Sequence, residues 1–341
     1  MQRRQILTAG AALSAALATP ALLIRRAHAE AGKLRLSHGY GILYLPLIVM
    51  RDQKLLEKHA DAAGLGPIDV TWQMLDGGNV INDAMLAGSL DIAGTGAPGF
   101  ITLWSRARGI PRSEIIGVSG MSTCTLSLNT NRPNIRSLAD FTPGDKIALP
   151  GIKTSLAAVV LQMLVAKQFG QANYAKLDPM TVGLPHPEAF TALMSGKTEI
   201  AAHFASPPYS SRELEDPRIH RVIAASEVLG NATLDVTFAP RQFVNNNPKI
   251  MAAFLAAQDE ANKMIVSDPV KAAGIFNRVS PTGSTDEAVV AMLKEPDTRF
   301  DTTPHGLMEY ANFMGAVGTI RNKPAKWQDL FMPELHERPG S

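Results

Sequence analysis

The stretch KIALPGIKTSLAAVVLQMLVAKQFG, Lys146 to Gly170, decides how the chain is read. It opens with a short strand over Ile147 to Leu149, turns at Pro150-Gly151, and continues as a helix. Leu156, Val159, Val160, Met163 and Leu164 recur at helical spacing, which predicts one buried face. Thr154 or Ser155 caps the first turn and Gly170 ends the helix. A helix that starts just after a strand aims free N–H groups and a partial positive charge at whatever lies there. That end suits an anionic or strongly polar ligand group. Taken alone, the stretch is one unit of any α/β protein.

Its neighbours on the N-terminal side repeat the same order. Lys33 to Ser37 reads as a strand, followed by the loop His38-Gly39-Tyr40-Gly41 and a helix over Pro46 to His59. Ile68 to Leu75 alternates like a strand and meets the turn Asp76-Gly77-Gly78-Asn79. A short helix over Val80 to Ala87, a strand over Leu90 to Ala93, the loop Gly94 to Pro98, a helix to Arg108 and a strand over Ile115 to Val118 follow. Such alternation predicts mostly parallel sheets with helical crossovers.

The order then recurs with matching residues. AMLAGSLDIA at Ala84 to Ala93 pairs with ALMSGKTEIA at Ala192 to Ala201, differing in chemical type only at Ser89/Lys197 and Leu90/Thr198. Ile68 to Leu75 has its partner in Met180 to Leu184, the turn Asp76 to Asn79 in Leu184 to Pro187, and Lys33 to Leu36 in Lys146 to Leu149. The expected architecture is two βαβαβ lobes in tandem. Lobe one takes residues 30–122 and 236–341, and lobe two takes 123–235. Thr123 to Asn129 leaves the first lobe and Thr233 to Ala239 returns, as two neighbouring hinge strands. Helices then begin at Asn247-Pro248, Ser267-Asp268-Pro269, Thr285-Asp286 and Pro304, and Trp327 and Phe331 anchor the tail.

Residues 1–29 read as an address rather than as fold. Arg3-Arg4 precede an apolar run from Ala9 to Ile24, with Arg25-Arg26 and the small-x-small site Ala27-His28-Ala29 behind it. The paired arginines resemble a twin-arginine export signal, with a general secretory signal as the alternative. Either places the mature chain in a bacterial periplasm. The whole chain carries 33 Lys+Arg and 31 Asp+Glu. Removing the four arginines of the address leaves 29 basic against 31 acidic residues, a net of −2. No nucleic-acid partner is implied. Cys124 is the lone cysteine, so no internal disulfide forms.

At this point the chain resembles the periplasmic substrate-binding proteins of ABC importers, in the nitrate/sulfonate/taurine branch that includes thiamin-pyrimidine-precursor binders. The resemblance is carried by Leu45 to Val49 with Leu55 to His59, by Ala87 to Ala93, by Ile135 to Asp140 with Lys146 to Ser155, and by Ser267 to Pro269 with Ala272-Ala273. Where the family often has glycine, this chain has Lys54. The resemblance implies a type II two-lobed fold closing on a ligand, no cofactor, a monomer, and a permease and ATPase as partners. The expected function is capture of a small organic anion, a sulfonate or carboxylate, aromatic ones included, for delivery to the permease. A neutral heterocycle is the second choice. An enzyme on the same fold and a sensory partner of a receptor are the competing functions.

Ligands of open α/β sheets sit beyond the carboxyl ends of strands and in clefts between domains. The candidate contacts are therefore His38, Tyr40, Tyr44, Asn79, Thr95 and Gly96 from lobe one, and Lys153, Thr154, Ser155, His186, Glu188, His203 and Ser206 from lobe two. Thr123, Asn231 and Asp235 are placed near the hinge. Lys153 is read as the neutraliser of an anion, and Tyr40, Tyr44 and Phe204 as stacking groups. The spacing of His38, His186 and His203 matches no metal motif. Gly94-Thr95-Gly96 lacks dinucleotide spacing and Gly151 to Ser155 lacks the phosphate-loop pattern. No catalytic group is expected, and Cys124 is read as a small buried filler.

Overall fold

A computed structural model describes residues 30–341. The export signal and the cleavage site expected at 1–29 lie outside the described residues. In chain order the strands are β1 (Lys33–His38), β2 (Asp69–Met74), β3 (Ile92–Gly96), β4 (Ile115–Thr123), β5 (Ser127–Thr130), β6 (Lys146–Leu149), β7 (Thr181–Gly183), β8 (Ile200–Ala205), β9 (His220–Ala224), β10 (Asp235–Pro240) and β11 (Arg299–Phe300). They form two sheets, ordered β11-β4-β10-β3-β1-β2 and β7-β6-β8-β5-β9.

The repeat read from sequence is a repeat in space. β1 lies parallel between β3 and β2, and β6 lies parallel between β8 and β7. The matched segments lead into equivalent strands, with Ile92 opening β3 where Ile200 opens β8. Each sheet is then extended by a strand arriving from the other side. β10 pairs antiparallel with β3 and β4, and β5 pairs antiparallel with β8 and β9. Burial follows this order. Edge strand β2 alternates, whereas the inner strands β4 and β8 are buried at every residue, as strands covered on both faces must be.

The sheets are mixed rather than mostly parallel, because strands that cross between the lobes enter each sheet antiparallel: five of the nine strand pairings among the described residues are antiparallel. Three further expectations need correction. The helix over Pro46 to His59 is two helices, Leu45–Gln53 and Leu55–Ala62, broken at Lys54, whose backbone is left-handed at φ 51° and ψ 43°. That conformation costs a residue with a Cβ about 1–2 kcal/mol, whereas glycine adopts it freely. Lys54→Gly is therefore expected to raise stability by up to about 1 kcal/mol after allowing for glycine's freedom in the unfolded chain. A higher urea midpoint at unchanged slope would show it, and a lower midpoint would deny the strain.

The helix at the head of the chain's central stretch runs Leu156–Phe169, with Ser155 accepting from the Ala158 N–H at 3.2 Å and Gly170 ending it at φ 86°. It is not amphipathic. Leu156 to Gln162 are all buried and Met163 is half-buried. The helix packs on Ala97–Ala107 and Leu307–Ala316 from beyond its own sheet, so no face of its first turns meets water.

The hinge differs as well. The outgoing stretch Thr123 to Asn129 does not lie beside the return: it leaves β4 and enters β5 in the second sheet, whereas the returning β10 pairs with β3 and β4 in the first, where Asp235 is opposite Ser122. Only Cys124 to Leu126 and residues 225–234 cross between sheets, and neither crossing is a strand. The return carries a short helix, Ser226–Leu229. Cys124 is 6% exposed, and burial raises its thiol well above the usual range, consistent with a packing role.

The later helices, Pro248–Ser267, Pro269–Val279 and Asp286–Leu293, start where Asn247, Asp268 and Thr285 stand. Pro248–Ser267 packs against Leu45–Gln53 and Leu55–Ala62 and so thickens the first lobe. Trp327 and Phe331 are buried in its core. Among the described residues no helix is long and apolar enough to cross a membrane.

Candidate functional site

The parallel strands β1, β2, β3 and β6, β7, β8 aim their carboxyl ends at one another across a cleft. The residues that follow those ends enclose a cavity of about 40 Å³. From the first lobe come Tyr40, Leu43, Tyr44, Asp76, Gly77, Gly78, Thr95 and Gly96. From the second come Pro150, Ser155, Leu156, Ala157, His186 and Ser206, with Leu126 and Asp235 from the hinge.

The two rims touch directly. The Thr154 hydroxyl donates to Asn79 Oδ1. The His186 backbone N–H donates to Asp76 Oδ2 at 3.0 Å, and Ile42 N–H donates to Pro207 O at 3.1 Å. Glycine permits this approach. A Cβ on Gly77 would lie 2.5 Å from Pro150 O, and one on Gly96 would lie 2.7 Å from Leu156 Cβ. The lobes are therefore closed on the cavity, and a ligand larger than a few atoms enters only by hinge opening.

Two carboxylates dominate the electrostatics. Asp235 is 2% exposed at the start of β10. Burial pushes its carboxyl up to about 7; the Tyr44 hydroxyl pulls it down by less, and Asp76 adds to the rise. Its Oδ2 has no hydrogen-bond partner among the described residues, and neither does Thr95 Oγ1. Asp76 is also raised by burial, although it accepts from His186 N–H and from Gly77 N–H at 3.0 Å. Burial likewise raises the Tyr44 phenol well above its usual range. No lysine or arginine lines the cavity among the described residues.

Behind the wall lies a buried chain of polar groups. His186 Nδ1 is 2.8 Å from His203 Nε2, and His203 Nδ1 is 2.5 Å from Glu213 Oε1. Asn129 Nδ2 donates to Glu213 Oε2 at 2.9 Å. The His186 ring stacks on Tyr209 with centroids 5.5 Å apart. Burial and His203 hold the His186 imidazole well below its usual pKa, so it is neutral.

Of the candidate contacts read from sequence, the fold brings Tyr40, Tyr44, Thr95, Gly96, Ser155, His186, Ser206 and Asp235 to the cavity. Asn79 and Thr154 bridge its rim. His203 stands one residue behind the wall. Lys153 and Glu188 are exposed and do not line it. His38 is fully buried, donating its Nδ1–H to Gly39 O (3.0 Å) and accepting at Nε2 from Arg51 Nη1 (3.3 Å), and burial lowers it to about 4. Thr123 and Asn231 line a different cavity of about 860 Å³ along the hinge, with Arg299, Asp301, His305 and Glu309. Among the described residues no three His, Cys, Asp or Glu side chains form a metal cluster.

The sequence places the Asp76–Asn79 turn at the pocket but singles out Asn79 rather than Asp76 from it, and gives no place to Glu213. Asp76 had a signal, since it is the first polar residue past the end of β2. Glu213 had none, because RELEDP reads as an exposed turn of helix.

This geometry defines a two-lobed binding fold of type II. Solved structures share it. The alkanesulfonate-binding protein of Xanthomonas axonopodis pv. citri, bound to MOPS, is 18% identical with a TM-score of 0.69, covering 86% of this chain and 96% of that one. The periplasmic aliphatic sulphonate-binding protein of Escherichia coli is 19% identical with a TM-score of 0.65, covering 89% and 93%. The periplasmic nitrate-binding protein of Synechocystis PCC 6803 is 14% identical with a TM-score of 0.67, covering 88% and 84%. At these identities the likeness establishes the fold. No curated protein matches the chain. Residues 67–272 match the model of the NMT1/THI5-like family, and the chain belongs to that family.

Proposed function

We propose that the chain is the periplasmic solute-binding component of an ABC importer, closing its lobes on a small molecule and presenting it to a permease and its ATPase as a monomer. Supporting this are the closed interlobe cavity, the export signal read in residues 1–29, and the sulfonate- and nitrate-binding proteins that share the fold. Catalysis is not part of the reading. The cavity's titratable groups fit binding, and Cys124 is protonated at neutral pH.

The ligand is better matched to hydrogen-bond donors than to the anion suggested by Lys153. The observation that carries this is the pair Asp76 and Asp235 in a cavity that no lysine or arginine lines. An anion brought within about 4 Å of one carboxylate meets a repulsion of about 4 kcal/mol in a partly screened site. An amine, amidine or amino-substituted heterocycle would instead supply the partner that Asp235 Oδ2 lacks.

Thermal shift at pH 8 with paired probes tests this. Amines, amidines and aminopyrimidines should raise the melting temperature, and alkanesulfonates, carboxylates and nitrate should not. Ligand at about 100-fold its Kd stabilises by about 2.7 kcal/mol, well within detection. Stabilisation by sulfonates or nitrate alone would overturn the ligand class, and indifference to every probe would count against solute binding. Deletion of the gene should abolish uptake of the ligand; intact uptake with altered signalling would favour a sensory role.

A further inference from the structure

Neither Glu213 nor His203 lines the cavity, and both are completely buried. We propose that these two residues are positioning residues for selectivity: they fix His186 as a hydrogen-bond acceptor toward the ligand. The proposal deepens the solute-binding reading and rests on it for the word ligand.

The chain of contacts leaves little freedom. An ionised Glu213 can only accept, so His203 must carry its proton on Nδ1. A neutral His203 then has a lone pair on Nε2, which requires the proton of neutral His186 on Nδ1. His186 Nε2, which has no protein partner among the described residues, is left with a lone pair. It lies in a wall shared with Asp76 and Asp235, so three acceptors converge on one small space. Asn129 locks the far end, because its amide donates to Glu213 Oε2 while Ser127 Oγ holds its carbonyl at 3.1 Å.

One added proton reverses the sense of the chain. If His203 is doubly protonated, its Nε2–H donates to His186 Nδ1, and the single proton of His186 moves to Nε2. The wall then offers a donor. The titratable groups that face the histidine pair are Glu213 and Tyr209 from one helix, Asp76 and Tyr40 across the cavity, and Asp235 beyond them, with Arg212 on the far side of Tyr209. Ligand polarity and pH are thus read by two residues that never touch the ligand.

Nitrogen NMR of the ligand-free protein, labelled at histidine nitrogen, reads the tautomer directly, with His186 assigned by the loss of its signals in His186→Phe. At pH 8 the wild-type His186 should be protonated at Nδ1 and bare at Nε2. In Glu213→Gln the amide can donate to His203 Nδ1, and the His186 proton should move to Nε2. Lowering the pH of the wild type should produce the same move, which keeps the test decisive if the variant does not fold. A His186 already protonated at Nε2 at pH 8, or unmoved by both changes, would overturn the proposal. Because no ligand is present, that failure would leave the solute-binding reading standing, and an unsuccessful ligand screen would leave the tautomer result standing.

Discussion

Gly96→Leu is expected to lower affinity for any cleft ligand by about 100-fold while leaving the fold intact. Gly96 has φ −57°, a backbone angle that any residue accepts, so the substitution introduces no strain in an open molecule. Its cost arises only on closure, where a Cβ would stand 2.7 Å from Leu156 Cβ and 3.3 Å from the Leu156 nitrogen. Those atoms belong to the first turn of a buried helix and cannot move aside. Gly96 belongs to the first sheet and Leu156 to the second lobe, so the clash holds the lobes apart. Apparent affinity scales with the closed fraction, so a 100-fold loss of that fraction is a 100-fold loss of affinity. Calorimetry would read the affinity. Small-angle scattering would show a molecule that no longer compacts on ligand addition. Wild-type affinity in this variant would mean that closure is not part of binding. Gly77 is a poorer test, because its φ of +84° would strain a replacement in the open form too.

The two-lobed fold was legible because its signals are local and occur twice. Ser155, Gly170, Asn247, Asp268 and Thr285 mark helix ends by chemistry that needs no tertiary context. The match of Ala84–Ala93 with Ala192–Ala201 then sets the register between the parallel portions of the two sheets. What was not legible depends on distant packing. The Leu156–Phe169 helix is buried on every side of its first turns by helices far away in sequence, so its apolar pattern understates its burial.

The site divides along the same line. Loops after strand ends identified the cavity's neighbourhood, and eight of the candidate residues line it. His38 and His186 held equivalent promise as loop histidines. His38, however, continues the two-residue period of Leu34 and Leu36 and turns with them into the core. That period was visible in the sequence. The joining of His186 to Glu213 was not, because it depends on β8 carrying His203 between two helices. The absence of Lys153 from the cavity's lining has a similar reason. Lys153 lies in the right loop but points to solvent, while Asp235 enters from the return strand on the far side of the hinge.

Asp235→Asn should reveal the conflict that this placement creates, weakening ligand binding while making the empty protein more stable at alkaline pH. A carboxyl raised to about 7 by burial holds its proton more tightly folded than unfolded. Its contribution is therefore largest at low pH. It declines as pH rises from the ordinary carboxylate range near 4 through about 7, and it is flat above that. The decline spans about three pH units, or roughly 4 kcal/mol. Asparagine has no proton to lose, so the variant should show only the shallower slope that Asp76, also raised by burial, leaves behind. Urea unfolding at pH 5 and pH 8 would measure the difference. Binding should move the other way. With a cationic amidine probe, wild-type affinity should strengthen as pH rises through about 7, where the carboxylate forms. The variant should be weaker by about 100-fold at pH 8, the usual scale for losing one partner of a buried charged pair, and insensitive to pH in that window. A stability profile identical to wild type would deny that Asp235 is desolvated in the fold. Unchanged affinity would remove it from the site. The expected pair of results would instead identify Asp235 as a group whose burial destabilises the closed, empty cleft and whose charge a ligand satisfies. A binding protein that must release its cargo is served by that arrangement, because closure is favoured most when a ligand supplies the partner that Asp235 Oδ2 lacks.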